Sequence, residues 1–189
     1  MKIAIILGST RPGRLGAQVA DWIMTQVADR DDAEYELVDL AEYDLDLLDE
    51  PTVPGAAKRQ YDNPKTRRWS ATIDEYDGYV FVTPEYNHGV PAALKNAFDV
   101  LHPEWLHKGA ALVSYGADGG VRAVEHWRTI LANAQMHVVR GQVSFSTMLE
   151  VTSGADGDVF TPADRRAKEL GNVLRQLTRL TGATASLRS

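Results

Sequence analysis

The chain opens with a strand that has to be buried. Ile3 to Leu7 is a near-continuous aliphatic run. A segment apolar at every position, rather than at alternate ones, suits a strand covered on both faces, as in a parallel sheet with helices above and below. Gly8 closes the run, and a turn rich in Gly, Pro and Arg continues to Gly16. Leu15, Val19, Ile23 and Val27 then recur at helical spacing, which predicts a helix with one apolar face. A strand leading through such a turn into such a helix commits the chain to an α/β architecture. Parallel neighbours require crossover connections, and these are right-handed.

The rest of the chain repeats that alternation. Tyr35–Leu40, Tyr79–Thr83, Ala110–Tyr115 and a short His137–Val139 read as strands. Arg67–Tyr76 reads as a helix, as do the stretches marked by Ala93, Leu94, Ala97, Phe98 and Leu101 and by Val121, Val124, Trp127, Leu131 and Ala134. Pro51, Pro54 and Pro64 mark segment 41–64 as a long connection. Thr161-Pro162-Ala163-Asp164 has the chemistry of a helix start, with Thr161 as cap and Pro162 in the first turn. Leu170, Leu174, Leu177 and Leu180 then form the inner face of a last helix. The expected fold is a doubly wound sheet of five parallel strands, in a single domain over residues 1–189 whose end, 181–189, frays.

Composition narrows the function by exclusion. The 189 residues include 20 Lys and Arg against 26 Asp and Glu, a formal net charge of −6, which argues against a general nucleic-acid binder. Cysteine is absent, which removes disulfide frameworks, thiolate zinc, iron–sulfur ligation and cysteine nucleophiles. His88, His102, His107, His126 and His137 show no zinc-ligand spacing, so no metal site is expected. Ser114 lacks the flanking glycines of a nucleophile elbow. Asp156-Gly157-Asp158 has too few ligands for a calcium loop and reads as a turn. The first apolar run is too short for a signal peptide or a membrane span, and a cytoplasmic protein is expected.

In open α/β sheets ligands bind beyond the carboxyl ends of the strands. Three loops of this sequence fall there: Gly8–Gly16, Pro84–Pro91 and Gly116–Gly120. The first reads GSTRPGRLG and offers backbone amides, hydroxyls, Arg11, Arg14 and a helix N-terminus, a combination that suits a phosphate. It matches neither the Walker pattern, because Arg14 and Leu15 follow Gly13, nor the dinucleotide fingerprint. A plain strand–helix turn with surface arginines is the alternative. The second loop is stiffened by Pro84 and Pro91, while Asn87 and Gly89 tolerate positive φ. Rigid amide groups beside Tyr86 suit a planar heterocycle.

These segments, GSTRPGRLG at 8–16, TPEYNHGVPAALKNAFDVL at 83–101 and SYGADGG at 114–120, resemble the NADPH-dependent FMN reductase family of the flavodoxin-like superfamily. The resemblance covers about residues 1–180. It implies the strand order 2-1-3-4-5 and an FMN cofactor reduced by NADPH or NADH. It also implies an acceptor such as a quinone, an azo compound, free flavin or a metal oxyanion. Ser9, Arg11 and the Arg14, Leu15, Gly16 turn would hold the FMN phosphate. Pro84, Glu85, Tyr86 and Asn87 would line the ring, and Tyr115, Gly116, Gly119 and Gly120 would close its other edge. No side chain need act as nucleophile or acid–base catalyst, because the flavin carries the chemistry. Many relatives have Ser or Asn where Arg14 and Gly16 stand.

The resemblance further implies a homodimer or dimer of dimers, with Trp105 either at the contact or in the core. Leu40–Pro51 is either a segment near that contact or a solvated acidic loop. A flavodoxin-type electron carrier without nicotinamide turnover is the rival reading. The Arg-bearing turn and the PEYNHG loop speak against it.

Overall fold

The computed structural model describes residues 1–155 and 157–188. Five parallel strands, β1 (Lys2–Leu7), β2 (Glu34–Asp39), β3 (Gly78–Pro84), β4 (Gly109–Gly116) and β5 (His137–Ser146), form one sheet in the order β2-β1-β3-β4-β5. β1 pairs with β2 and β3 on its two sides, so the direction of winding reverses there. That reversal puts the loop after β1 next to the loop after β3, where a crevice opens at the carboxyl edge.

Alternation along the strands divides the interior into two layers. Ile3, Ile5, Val80, Val82, Ala111 and Val113 face α1 (Leu15–Val27) and α6 (Arg165–Ala183). Ala4, Ile6, Phe81 and Leu112 face α3 (Pro64–Asp74), α4 (Ala92–Asp99) and α5 (Val121–Asn133). Every residue of β3 is buried, which is why it reads as an unbroken apolar run. Each fully buried Ile or Val contributes about 1.5–3 kcal/mol relative to exposure. Trp105 and Trp127 fill the second layer with stacked and edge-on contacts to Tyr79, Phe81 and Phe98, and Trp69 packs edge-on against Trp105. Trp105 is 1% exposed and donates to the Phe98 carbonyl, so of its two possible places it takes the core.

Several boundaries depart from the sequence expectation. The 41–64 connection contains a short helix, α2 (Pro54–Ala57), and buries Ala57 and Tyr61. α3 begins at Pro64, not Arg67, because Asn63 accepts from the Lys65 amide and caps it. β5 extends to Ser146, well past Val139. It leads into an antiparallel hairpin, β6 (Val151–Gly154) and β7 (Gly157–Phe160), which the sequence reading missed. Of the supposed Asp156–Asp158 turn, Gly157 and Asp158 lie in β7, and Asp156 lies outside the described residues.

The last helix starts at Arg165, and neither Thr161 nor Pro162 opens it. The Thr161 amide is spent on the Glu150 carbonyl, and the Arg166 side chain is drawn into a buried ion pair with Glu150. Residues 181–188, where fraying was expected, carry regular structure. α6 runs to Ala183 and a 3-10 turn follows at Ala185–Arg188. Thr181 is buried because its side chain sits over Gly78 and Gly109, where no other Cβ would fit. Ser189 lies outside the described residues.

Candidate functional site

A cavity of about 330 Å³ opens at the carboxyl edge of the sheet, lined by Ser9, Arg11, Arg14, Leu15, Pro84, Glu85, Tyr86, Tyr115 and Gly116. Nine residues expected from sequence therefore meet in one place. Thr147, Val151, Ser153 and Asp158 form another wall, which no sequence signal announced. The remaining four expected residues, Gly16, Asn87, Gly119 and Gly120, are not among those lining the cavity. They shape it from behind.

The first loop follows from β1. Gly8 lies so close to β3 that its amide bonds the Val82 carbonyl at 3.0 Å, and a Cβ there would collide with Leu94. Ser9 is buried, and its hydroxyl lies 3.1 Å from the Tyr86 hydroxyl, joining the first two loops. α1 begins at the cavity edge without a side-chain cap, the Ala17 amide bonding the Arg14 carbonyl at 3.3 Å, and its dipole puts partial positive charge at that end.

The two arginines differ. Arg14 donates to the Ser9 carbonyl at 2.9 Å and forms an ion pair with Asp39. Asp39 also accepts from the Ala41 amide at 2.9 Å. Arg14 is thus a strut between β2 and the turn. Arg11 lines the cavity, exposed, with no side-chain partner among the described residues.

The second loop closes on itself. The Tyr86 and Gly89 amides and carbonyls exchange bonds of 3.1 and 3.0 Å, a two-residue reverse turn with Asn87 at φ 49° and His88 at φ 65°. The expected pair was Asn87 and Gly89. Gly89 instead supplies the closing bridge, and His88 takes the left-handed position. Glu85 turns its carboxylate away from the opening. It accepts from the Arg122 and Ala123 amides and from the Arg122 guanidinium, capping α5. Its amide donates to the Tyr115 carbonyl at 3.1 Å, locking the second loop to the third.

In the third loop Gly119 and Gly120 have φ of 79° and 71°. A Cβ on Gly120 would press on Ser114 and the Tyr115 backbone at about 3.0 Å. Glycine is therefore required by both conformation and space. The Ser114 hydroxyl bonds the Gly119 carbonyl at 2.6 Å, which makes Ser114 a loop anchor. Gly16 acts at a distance: a Cβ there would stand 2.4 Å from the Tyr115 hydroxyl, so its absence lets the phenol tuck under α1. That hydroxyl is buried and without a hydrogen-bond partner among the described residues. Burial, reinforced by neighbouring Tyr86, raises its pKa and keeps it protonated at neutral pH. Among the described residues no three His, Asp or Glu converge as a metal site, and no helix is long and apolar enough to cross a membrane.

Sheet order and crevice place the chain among flavodoxin-like α/β proteins. The flavoenzyme NAD(P)H:(acceptor) oxidoreductase of Paracoccus denitrificans superposes with a TM-score of 0.68 at 20% identity, covering 97% of this chain and 98% of that one. Residues 1–150 match the profile of the family described as NADPH-dependent FMN reductase. An NAD(P)H-dependent FMN reductase of Schizosaccharomyces pombe is 36% identical over 175 residues, 91% of this chain and 84% of that protein. One from Nectria sp is 44% identical over 126 residues, 65% of this chain and 63% of its own length. The chain belongs to the NADPH-dependent FMN reductase family.

Proposed function

We propose that this protein is an NAD(P)H-dependent oxidoreductase that works through FMN bound in the carboxyl-edge cavity. The observation that carries the reading is the meeting of unpaired Arg11, the uncapped α1 N-terminus and the stiff 84–89 loop around one cavity of about 330 Å³. That volume lies at the lower end of the range for small-molecule sites, roughly 300–1,000 Å³. The donor set fits a phosphorylated flavin. Arg11 and the first α1 amides suit a phosphate. Pro84, Tyr86 and Gly116 offer flat, mostly apolar surface to a ring. The buried Tyr115 hydroxyl is a donor still in need of an acceptor.

When bound, FMN would supply hydride acceptance from a reduced nicotinamide and its later delivery to a second substrate. The protein's share is binding and orientation. Arg11 neutralises phosphate charge. Arg14, braced by Asp39, fixes the Ser9 carbonyl and so the direction of the turn's amides. Glu85, by capping α5, holds the second and third loops at a constant separation. No side chain in the cavity need move a proton as nucleophile or base.

Quinones, azo compounds, free flavin and metal oxyanions are the acceptor classes, with NADPH or NADH as donor. Exposed Leu47, Leu48 and Val53 in the 41–64 connection replace Trp105 as the apolar surface for a homodimer, which sedimentation of the flavin-loaded protein checks. The central test is optical. The purified protein should bind FMN with the absorbance of an oxidised flavin, and anaerobic NADPH should bleach it. Flavin binding without bleaching by either nicotinamide would favour an electron carrier; failure to bind FMN would reject the reading.

A further inference from the structure

The hairpin that the sequence concealed also lies outside the part of the chain that matches the family profile, which ends at residue 150. It is firmly attached. At its base, Glu150 pairs through both oxygens with Arg166 at 2.7 and 2.8 Å and accepts from the Ser146 and Ala163 amides. Burial, the largest single influence, would raise the Glu150 carboxyl, but Arg166 and the Ala163 and Ser146 amides together outweigh it and hold the group below its usual range. Farther out, the Gln18 amide of α1 donates to the Asp158 carbonyl and accepts from the Phe160 amide, both at 2.8 Å. Phe160 packs edge-on against Trp22 and Phe145.

Register decides what this hairpin presents. Val151 pairs with Phe160, and Ser153 with Asp158, so these four side chains share one face. Phe160 fixes that face inward against the α1 layer. Val151, Ser153 and Asp158 consequently line the cavity, while Val159 on the opposite face is exposed. The Ser153 hydroxyl donates to Asp158 Oδ1 at 2.6 Å. Asp158 has no cationic partner among the described residues.

We propose that the hairpin is the fourth wall of the flavin site, and that Asp158 sets how strongly the site prefers a phosphorylated to an unphosphorylated flavin. The inference rests on the flavin reading above. Gln18 lies one turn into α1 and ties Asp158 to the end where the phosphate would bind. At that end Arg14 is already neutralised by Asp39, so Arg11 is the cation left for a phosphate, and Asp158 offsets it. Arg11 still draws the phosphate, but against the Asp158 carboxylate, so FMN is held less tightly than Arg11 and the amides alone would hold it. Riboflavin, which carries no phosphate, does not feel the carboxylate in this way.

The test is titration of wild-type protein and Asp158→Asn with FMN and with riboflavin, followed by quenching of flavin fluorescence at low and high salt. Asparagine keeps the volume and the Ser153 bond, so a gain of affinity cannot arise from misfolding. Asp158→Asn should tighten FMN roughly three- to tenfold at low salt, the scale of a screened like-charge interaction, with less gain at high salt. Riboflavin affinity should stay unchanged. Unchanged or weaker FMN binding, or equal gains for both flavins, would overturn the role of Asp158 while leaving the flavin site standing. Wild-type protein that binds neither flavin would overturn both.

Discussion

Both ends of the central sheet gather charged side chains, and they treat them in opposite ways. At the amino end Lys108 donates to the Ile73 carbonyl at 3.1 Å, the Asp74 carbonyl at 3.3 Å and the Tyr79 hydroxyl at 2.9 Å. Arg188 pairs with Asp77, and in the connection leading to β4 the fully buried Glu104 accepts from Tyr61, Ser70 and the His102 amide. Most polar groups there are satisfied internally, His137 Nε2 and Thr181 Oγ1 being buried without a partner among the described residues. At the carboxyl end the Arg11 guanidinium and the Tyr115 hydroxyl have no partner among the described residues, α1 has no side-chain cap, and Asp158 has a hydroxyl donor but no cation. A closed network specifies the fold, whereas an open one waits for a ligand. Mutations at the two ends should therefore separate stability from binding.

The largest expected effect lies at the closed end. Glu104→Ala strands the Tyr61 and Ser70 hydroxyls and the His102 amide in a dry environment, and should cost about 3–5 kcal/mol of unfolding free energy. Denaturant titration measures it. At a temperature where the variant remains folded, its FMN affinity should match wild type; a large loss of affinity would show that the two ends are coupled.

Arg11→Ala is the mirror experiment. A charge-assisted contact contributes about 1.5–3 kcal/mol, so FMN should bind roughly 10- to 150-fold more weakly. Stability should change by less than about 0.5 kcal/mol, because the side chain is exposed and makes no contact to lose. Unchanged FMN affinity would remove Arg11 from the site.

Lys108 turns the comparison into a pH dependence. Burial pulls its pKa from 10.5 down to about 8, against the opposing pull of Asp74. Below pH 8 the lysine is charged in both folded and unfolded chains, and the cost of burying the charge is present in full. Between pH 8 and 10 the folded chain releases this proton while the unfolded chain keeps it. The unfolded state then binds more protons, so stability rises with pH, by roughly 2 kcal/mol across that window. Above pH 10 the buried Tyr61 and Tyr79, whose pKa values are raised chiefly by burial, oppose the trend. Chemical denaturation at pH 8 and pH 10 tests the rise, which Lys108→Met should flatten.

How legible each end was follows from the range of its interactions. The strands and the three carboxyl-edge loops were readable because apolar runs, glycines and prolines are local signals. Strand order came with the family resemblance, and the meeting of Ser9, Pro84 and Tyr115 follows from that order. The hairpin was not readable. Its strands are short and mostly exposed, and it is held by Glu150 with Arg166 and by Gln18 with residues 158 and 160, partners that are distant in sequence. The contacts that fix Arg14 and Gly16 were hidden for the same reason. Their partners, Asp39 and Tyr115, come into contact only after the sheet has formed. The expected cap at Thr161 failed because its amide is bonded to the Glu150 carbonyl and its hydroxyl lies against Thr152, tying it to the hairpin and not to the helix.

The smallest effect probes how the open end stays rigid. Asn87 sits at φ 49° in the two-residue turn closed by Tyr86 and Gly89. Asparagine tolerates this left-handed conformation better than residues with an ordinary Cβ environment, whereas alanine should pay about 1 kcal/mol there. Nothing in the buried network of the amino end touches this turn, so the loss should appear as local loosening. In amide hydrogen exchange, Asn87→Ala should raise the rates at Tyr86 and Gly89 several-fold, while the amides of β3 keep wild-type protection. FMN affinity should fall by a smaller factor than in Arg11→Ala, because Tyr86, and through it the Ser9 hydroxyl, loses its fixed position while the phosphate contacts remain. Faster exchange spreading into β3 would mean that the turn supports the sheet as well as the cavity, and the division between a closed end and an open one would be less sharp than the hydrogen bonds suggest.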